Sequence, residues 1–229
     1  MIIDGFNKLT LLDYPKHAAC IIFTRGCNFR CVFCQNSPLI ENSKQKGLID
    51  EEEVLNYLMK RKNVLDGIVI SGGEPTLQKD LVPFIKKVKK MSLKVKLDTN
   101  GTNPTIIKEL LDNNLVDYIA MDIKDNLSSY EKIINYNTNI SLIKQSIKLI
   151  KESKIDHEFR TTIIKEYHNI ENIKSLLKDF KNENYYLQNF VDSENVLVKN
   201  LHGFTNDELK NIEKIIKKDY PNVQVRGLI

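Results

Sequence analysis

The sequence has no long hydrophobic run. Its longest uncharged apolar stretches, such as Ala18–Thr24, are far shorter than the roughly 20 residues that a membrane-spanning helix needs. The first residues, MIIDGFNKLT, also lack the basic region, apolar stretch and small-residue cleavage site of a secretory signal. We therefore expect a cytoplasmic protein with no membrane partner.

A surplus of one charge sign is also missing. The 229 residues include 34 Lys and Arg against 30 Asp and Glu, and the two signs are interspersed. Proteins that bind nucleic acids usually concentrate basic residues in one patch, so this sequence predicts no nucleic-acid partner.

Cysteine is scarce, but three of the four cysteines lie within eight residues, at Cys27, Cys31 and Cys34. In a cytosolic chain such clustering indicates metal binding or redox chemistry more than a disulfide framework. Thiolates are the usual ligands of iron–sulfur clusters, which normally take four, so three of them leave one iron open. An open metal position is typical of a reactive site. The spacing therefore favours a catalytic iron–sulfur cluster.

A zinc site is the alternative interpretation of the same loop. It needs a fourth ligand, for which His17 and Cys20 are the local candidates. Zinc knuckles usually combine two C-x2-C pairs, and this chain has no second pair. Cys20 lies in an apolar run, where a free cysteine is expected to pack as a small buried hydrophobic residue.

Short apolar runs alternate with amphipathic helical segments along the chain. The runs are Ala18–Thr24, Gly67–Ser71, Leu93–Asp98, Tyr118–Asp122, Glu158–Ile164 and Tyr185–Phe190. Runs of this length suit strands that are buried on both faces of a parallel sheet. The alternation predicts the α/β class, and six units are fewer than the eight of a closed barrel. We expect an open, partial (β/α)6 barrel.

The predicted barrel belongs to a single domain, 1–229, with three segments. Residues 1–17 form an N-terminal entry segment, 18–190 form the partial barrel, and 191–229 form a C-terminal helix and a short final strand, Val223–Arg226.

Polar residues follow the predicted strands. They are Gly72, Gly73 and Glu74 after the second strand, Asp98 and Thr99 at the end of the third, Asp122 and Lys124 at the end of the fourth, and Arg160 within the fifth. Because the carboxyl ends of parallel strands meet at one edge of a sheet, a binding site is expected there. Each group also has a structural alternative: a tight turn after the second strand, a polar turn after the third, an ion pair at the rim after the fourth, and a salt bridge inside the barrel for Arg160.

The C-x3-C-x2-C spacing, with the aromatic Phe33 before the last cysteine, resembles the signature of the radical S-adenosylmethionine superfamily. The resemblance implies that Cys27, Cys31 and Cys34 hold one 4Fe–4S cluster. It implies that the fourth iron binds the amino and carboxylate groups of the cofactor's methionine moiety. One electron then cleaves the cofactor's C–S bond and yields a 5′-deoxyadenosyl radical. Only Cys20 is left over, so the chain can hold one such cluster.

The segments at the strand ends resemble the glycyl-radical-activating branch of this superfamily. The resemblance implies that Gly72, Gly73 and Glu74 form the segment that binds the methionine amino group. It also nominates Asp98, Thr99, Asp122 and Lys124 for contacts to the methionine and ribose portions, with a monovalent cation near Asp98 and Asp122, and Arg160 for the cofactor carboxylate.

The opening segments Gly5–Lys8 and Leu12–Pro15 resemble the activating proteins of anaerobic ribonucleotide reductase. This resemblance implies a glycyl-radical enzyme as the protein substrate, with hydrogen abstracted from a backbone glycine. It also implies a flavodoxin- or ferredoxin-like electron donor. Gln35 stands where many relatives have His, so the surroundings of the cluster are expected to differ.

Some positions carry no assignment. Ile163-Ile164 stands where many members of the superfamily have a glycine-rich motif, so the adenine contacts are not predicted. Gln188, Phe190 and His202 receive no assigned role. Two other functions stay open: a radical enzyme of the same superfamily that acts on a small molecule or an RNA base, and a zinc-binding interaction protein.

Overall fold

The computed structural model describes residues 1–40 and 48–228, in which strands alternate with helices. The strands are β1 (Ile3–Thr10), β2 (Ala19–Thr24), β3 (Gly67–Gly72), β4 (Lys94–Thr99), β5 (Tyr118–Asp122), β6 (Asp156–Ile163), β7 (Tyr185–Asn189) and β8 (Val223–Arg226). The helices are α1 (Glu51–Arg61), α2 (Leu81–Lys89), α3 (Pro104–Asp112), α4 (Tyr130–Ile134), α5 (Ile140–Glu152), α6 (Ile170–Leu177) and α7 (Asn206–Ile216). Short 3-10 helices lie at Ser37–Leu39, Pro75–Leu77 and Lys178–Phe180.

The strands form an eight-stranded sheet whose order follows the chain, from β1 to β8. β2 pairs in parallel with β3 and β3 with β4, and β6 pairs in parallel with β7 and β7 with β8. The predicted α/β class with an open, mostly parallel sheet is confirmed. All six predicted internal strands and the final strand are present, with ends that differ by at most two residues.

β1 was not predicted, because its sequence gives little sign of a strand. Only Ile3 among its eight residues is fully buried. It pairs antiparallel with β2, and irregularities follow Ile3 and Asn7. Gly5 lies opposite Phe23, and a Cβ atom on Gly5 would come 2.9 Å from the Phe23 ring. The strand therefore depends on its partner rather than on its own pattern.

By internal contacts the chain divides into two compact units, described one at a time. The first unit contains residues 1–28, 38–120 and 139–156. β2, β3 and β4 each bury at least four of their six residues, and α2, α3 and α5 each bury one apolar face. Asn103 caps α3 through a hydrogen bond from the backbone N–H of Ile106, and Pro104 occupies the first turn.

The second unit contains residues 29–37, 121–138 and 157–229. β6, β7 and β8 form its sheet, and the rings of Phe159, Phe180 and Tyr185 pack edge to face or tilted against each other. Thr205 and Glu208 form a reciprocal capping box at the start of α7. The single domain predicted over 1–229 stays a prediction. None of the described helices is long and apolar enough to cross a membrane.

Candidate functional site

In the first unit, Cys27 lies in the cysteine loop, which is the segment that follows β2 and continues along the chain to Cys31 and Cys34. The backbone N–H of Gly26 donates to the carbonyl of Leu39 at 2.6 Å, and that of Cys27 donates to the carbonyl of Ile40 at 3.3 Å. Gly26 adopts φ +95°, a conformation that favours glycine. These bonds hold the backbone of the loop before the first thiol.

Gly72 and Gly73 pack against the same loop. Gly73 N–H donates to the Thr24 carbonyl, and Glu74 N–H donates to the Gly26 carbonyl, each at 2.8 Å. A Cβ atom on Gly73 would lie 2.2 Å from the Gly26 oxygen, and one on Gly72, at φ +124°, would lie 2.2 Å from the Thr24 nitrogen. Both glycines are therefore required by the contact between two chain segments, a use that the sequence alone did not suggest.

Glu74 is completely buried and links the ends of β3 and β4. Its Oε1 accepts from the Thr76 N–H at 3.0 Å, the Thr76 hydroxyl at 2.6 Å and the Thr99 hydroxyl at 2.8 Å. Its Oε2 accepts from the Asn100 N–H at 2.6 Å. Burial raises the pKa of Glu74, and these four hydrogen bonds oppose that rise because they favour the carboxylate. The carboxylate thus links the segment that follows β3 to the end of β4.

Asp98 and Thr99, predicted to serve one site, point to opposite faces of β4. Thr99 bonds to Glu74, whereas Asp98 accepts from the ammonium of Lys96 at 2.6 Å. Lys96 is 1% exposed and also lies 5.7 Å from the centre of the Tyr118 ring. A buried ion pair therefore stands at the position where the sequence predicts a monovalent cation.

Asn100 is a site residue that the sequence interpretation missed. Its side-chain nitrogen lies 4.0 Å from the sulfur of Cys27 and 2.9 Å from Oδ1 of Asn28. The segment Asp98–Gly101 also fits an ordinary polar turn, so nothing in its composition marked Asn100 as a site residue. Its position directly after β4 could have identified it, because functional residues collect at the carboxyl ends of parallel strands.

In the second unit, Cys31 and Cys34 lie on a backbone that is held by α4. Arg30 N–H donates to the carbonyl of Ile134 at 2.8 Å, and Val32 N–H donates to that of Ile133 at 2.9 Å. Cys34 N–H donates to the Cys31 carbonyl at 3.0 Å, which closes a turn between the two thiols. α4 was not predicted from the sequence.

Asp122, Lys124 and Arg160 are brought together in this unit. Asp122 accepts from Arg160 Nε at 2.8 Å and from the Lys124 ammonium at 3.0 Å. Burial alone would raise the pKa of Asp122, but the two cations outweigh it and hold that pKa well below its usual range. Burial opposes ionisation of Lys124, yet Asp122 and Cys31 hold the Lys124 pKa above its usual value. The three side chains form a charged group beside the cysteine loop, with the Lys124 nitrogen 5.7 Å from the Phe33 ring centre.

Tyr130, on α4, was also missed. It is fully buried, and its hydroxyl accepts from the Lys124 N–H at 3.1 Å and donates to the Asp122 carbonyl at 3.4 Å. Its ring packs against Phe29. Tyr130 therefore fixes the backbone that carries Asp122 and Lys124.

The three unassigned positions of the second unit differ in their surroundings. Gln188 pairs with Arg226 in the register of β7 and β8, and Phe190 is buried. His202 is largely exposed and bonds to Glu166 at 2.7 Å. Gln35, the departure from the usual His, donates to the Val191 carbonyl at 2.6 Å.

The surroundings of the thiols fit an iron–sulfur cluster better than a zinc ion. Cys20 is fully buried within β2, and burial raises its pKa to about 12. His17 precedes β2 while Cys27 follows it, so a six-residue strand, about 20 Å long, separates them. Neither residue therefore supplies a fourth protein ligand.

The remaining features of the loop suit thiolates that share a cluster. Burial raises the pKa of Cys34, and the positive charges of Lys124 and Arg30 act against that rise. Lys124 also interacts with Cys31, and the amide of Asn100 faces Cys27. Cations and N–H donors beside the sulfurs stabilise the ligands in the deprotonated form that metal binding needs.

Comparison with known proteins finds relatives of this chain. The sequence model of the radical SAM superfamily matches residues 21–180. A protein of Methanocaldococcus jannaschii, provisionally named as a glycyl-radical enzyme activating enzyme, is 36% identical over 99% of this chain and 96% of its own length. GTP 3′,8-cyclase of Helicobacter pylori is 28% identical over 88% of this chain and 61% of its own length.

A solved structure shares the fold. A radical SAM methyltransferase from Sphaerobacter thermophilus matches with a TM-score of 0.73, over 96% of this chain and 69% of that chain. The two sequences are 16% identical, so the likeness concerns the fold alone.

Proposed function

We propose, since the chain belongs to the radical SAM superfamily, that it is an activating enzyme that generates a glycyl radical on a partner enzyme, an anaerobic ribonucleotide reductase. The observation that carries the proposal is the match to a provisionally named activating enzyme over almost the whole of both chains. The likeness of the opening segments to activating proteins of that reductase supports the choice of partner.

Cys27, Cys31 and Cys34 would hold one 4Fe–4S cluster. When bound, the cluster would supply the electron for reductive cleavage of S-adenosylmethionine. The protein's part is to hold the loop in place. Gly72 and Gly73 do so in the first unit by close backbone packing, and α4 does so in the second unit through two N–H···O=C bonds.

Arg160, Lys124 and Asp122 are proposed to bind the methionine and ribose portions of the cofactor. Arg160 presents a planar guanidinium, whose geometry suits bidentate contact with a carboxylate. The Asp122 carboxylate accepts from Arg160 Nε and Lys124 Nζ, so it fixes both cations before a ligand arrives. The Lys124 ammonium also lies 5.7 Å from the centre of the Phe33 ring, within the range of a cation–π contact.

For the methionine amino group, the predicted segment Gly72–Glu74 remains the proposal. Glu74 already accepts four hydrogen bonds from the protein and is completely buried. A direct contact with an ammonium therefore requires the exchange of one of these bonds. Backbone carbonyls of the glycines are the alternative acceptors in the same segment.

A monovalent cation near Asp98 and Asp122 is a further part of the proposal. At Asp98 the ammonium of Lys96, 2.6 Å away, would compete with such a cation. We expect a Lys96→Met variant to bind S-adenosylmethionine more tightly in K⁺ than in a large organic cation, and the native protein to differ less between these salts. Equal affinities in both salts for the variant would contradict a cation site.

The electron donor is proposed to be flavodoxin-like or ferredoxin-like. The four cysteines form no disulfide with one another, which suits a reducing compartment and supports the cytoplasm as the location. A glycyl-radical partner requires that a backbone glycine reach the open side of the bound cofactor.

The test starts with anaerobic reconstitution of the full chain with iron and sulfide. We expect about four irons per chain, a brown colour, and reductive release of 5′-deoxyadenosine from S-adenosylmethionine. Adding an anaerobic ribonucleotide reductase should then give the doublet of a glycyl radical in the EPR spectrum. Cleavage without a doublet on any such partner would refute the activating function.

Two matched variants control this test. Cys34→Ala should lose the cluster and cofactor cleavage, whereas Cys20→Ala, a thiol in the core of β2, should retain both. Bound zinc and no iron in the native protein would favour the zinc-binding interaction protein. Product formation from GTP or another small molecule, with no protein partner, would favour the small-molecule enzyme that the cyclase relative suggests.

A further inference from the structure

We propose that Asn100 is a positioning residue for the cluster, whose side-chain amide donates a hydrogen bond to the sulfur of Cys27 and raises the cluster's reduction potential. The inference rests on the proposed function, because it requires that Cys27 be a cluster ligand. It concerns a residue outside the predicted ligands and cofactor contacts.

The amide nitrogen of Asn100 faces two acceptors. It lies 4.0 Å from the Cys27 sulfur, within the range of an N–H···S contact, and 2.9 Å from Asn28 Oδ1. Asn100 is 5% exposed, so water does not replace this donor. A hydrogen bond in such dry surroundings is electrostatically stronger than one in water.

The orientation of the amide is fixed by the chain itself. The Asn100 oxygen, Oδ1, accepts from the backbone N–H of Thr102 at 3.0 Å and from the Thr102 hydroxyl at 2.7 Å. A backbone N–H can only donate, so the oxygen must face Thr102 and the nitrogen must face Cys27. Asn28 completes the network by donating to the Thr102 hydroxyl at 3.0 Å.

The backbone of Asn100 is held independently of its side chain. Its N–H donates to Glu74 Oε2 at 2.6 Å, and the next carbonyl, of Gly101, accepts from the Ser146 hydroxyl at 2.7 Å. A substitution of the Asn100 side chain therefore removes the donor to sulfur while these two anchors remain.

A donor at a ligand sulfur draws electron density from the thiolate. The reduced cluster carries one more negative charge than the oxidised cluster, so the donor stabilises the reduced form more and raises the potential. Loss of the donor should make the cluster harder to reduce. The amide also limits rotation of the Cys27 side chain, which keeps this ligand in one position.

The experiment measures the midpoint potential of the reconstituted cluster by EPR-monitored redox titration, without S-adenosylmethionine. Asn100→Leu has a similar volume and no donor. We expect it to shift the reduction equilibrium about tenfold toward the oxidised cluster, which is about 59 mV for a one-electron couple. Thr102→Val removes the hydroxyl of the network but keeps the Asn100 amide and the Thr102 N–H, and should shift the potential much less.

Pulsed EPR on the native protein covers the case in which Asn100→Leu does not assemble a cluster. Asparagine labelled with ¹⁵N in the side-chain amide should give a weak hyperfine coupling to the reduced cluster. Asn28→Ala and Asn36→Ala should each retain this coupling, which excludes the two asparagines near the cysteines in the chain as its source. Absence of the coupling, an unchanged potential in Asn100→Leu, or equal shifts in Asn100→Leu and Thr102→Val would overturn the inference. A native chain that assembles no cluster would instead overturn the proposed function, and this inference with it.

Discussion

Replacement of Glu74 by Gln changes one oxygen of a buried carboxylate into an N–H2 group of almost the same size. Three donors, from Thr76 and Thr99, converge on Oε1, and the Asn100 N–H points at Oε2. If the Gln oxygen takes the Oε1 position, its nitrogen faces the Asn100 N–H. Two donors then meet in a place that water does not reach.

The size of the effect follows from these contacts. Leaving a buried donor without an acceptor costs about 1–3 kcal/mol, and here two donors, the Asn100 N–H and the new Gln N–H2 group, have none. The remaining three bonds also lose the contribution of the charge. We expect the free energy of unfolding to fall by about 3–5 kcal/mol, a large part of the 5–15 kcal/mol that is usual for a domain.

Urea unfolding of the metal-free protein at pH 7, followed by far-UV circular dichroism, measures this loss. Glu109→Gln is the matched control, because Glu109 is exposed on α3 and should change stability by less than about 0.5 kcal/mol. The urea dependence should be the same in all three proteins, so that midpoints can be compared. A loss below about 1 kcal/mol for Glu74→Gln would refute the view that a carboxylate holds these strand ends together.

Three further predictions concern other parts of the described structure. Gly73→Ala should lower the iron retained after reconstitution at least twofold, because a Cβ atom would lie 2.2 Å from the Gly26 oxygen and push the cysteine loop away. Arg160 and Lys124 lower the pKa of Asp122, so its carboxylate should stabilise the fold above its unfolded pKa of about 3.9, and this stabilisation should be lost as the pH falls further. Asp122→Asn should therefore reduce the dependence of the unfolding free energy on pH in the acid range. His168 is buried, which lowers its pKa, so the native protein should lose stability as the pH falls below about 6.5, and His168→Gln should lack this loss.

Each of these predictions has a control in an exposed position. Thr105→Ala on α3 should retain iron, Asp112→Asn should keep the acid profile, and His202→Gln should keep the change near neutral pH. Normal iron content in Gly73→Ala would contradict the packing argument. An unaltered pH profile in Asp122→Asn or in His168→Gln would show that other groups control stability in that range.

The alternation of strands and helices could be predicted because strands that are buried on both faces appear as apolar runs. β2, β3 and β4 each bury at least four of their six residues, which is why their sequences were sufficient to predict them. β1 and α4 could not be predicted in this way. β1 buries one residue completely and depends on pairing with β2, and α4 has five residues, too few for a clear helical period.

The candidate ligands could also be predicted, since the spacing of Cys27, Cys31 and Cys34 is local in the chain. The polar residues at the strand ends were found by their positions, and Asp122, Lys124 and Arg160 do meet in the structure. Their roles toward the cofactor stay predictions. Asn100 escaped notice because its contact with Cys27 joins positions that are 73 residues apart in the sequence. Tyr130 escaped notice because it lies on α4, which is too short to give a helical pattern.

The sequence by itself determined the α/β class, the order of most strands, the thiol set and the family, because each depends on patterns within a few residues or on whole-chain similarity. Only the tertiary structure decided which donors meet which acceptors. Glu74 and Asn100 are 26 positions apart, yet the fold brings the carboxylate of one to the backbone N–H of the other. Such contacts depend on the register of β3 against β4 and on the turns that follow the two strands, and a linear sequence carries no direct signal of that geometry.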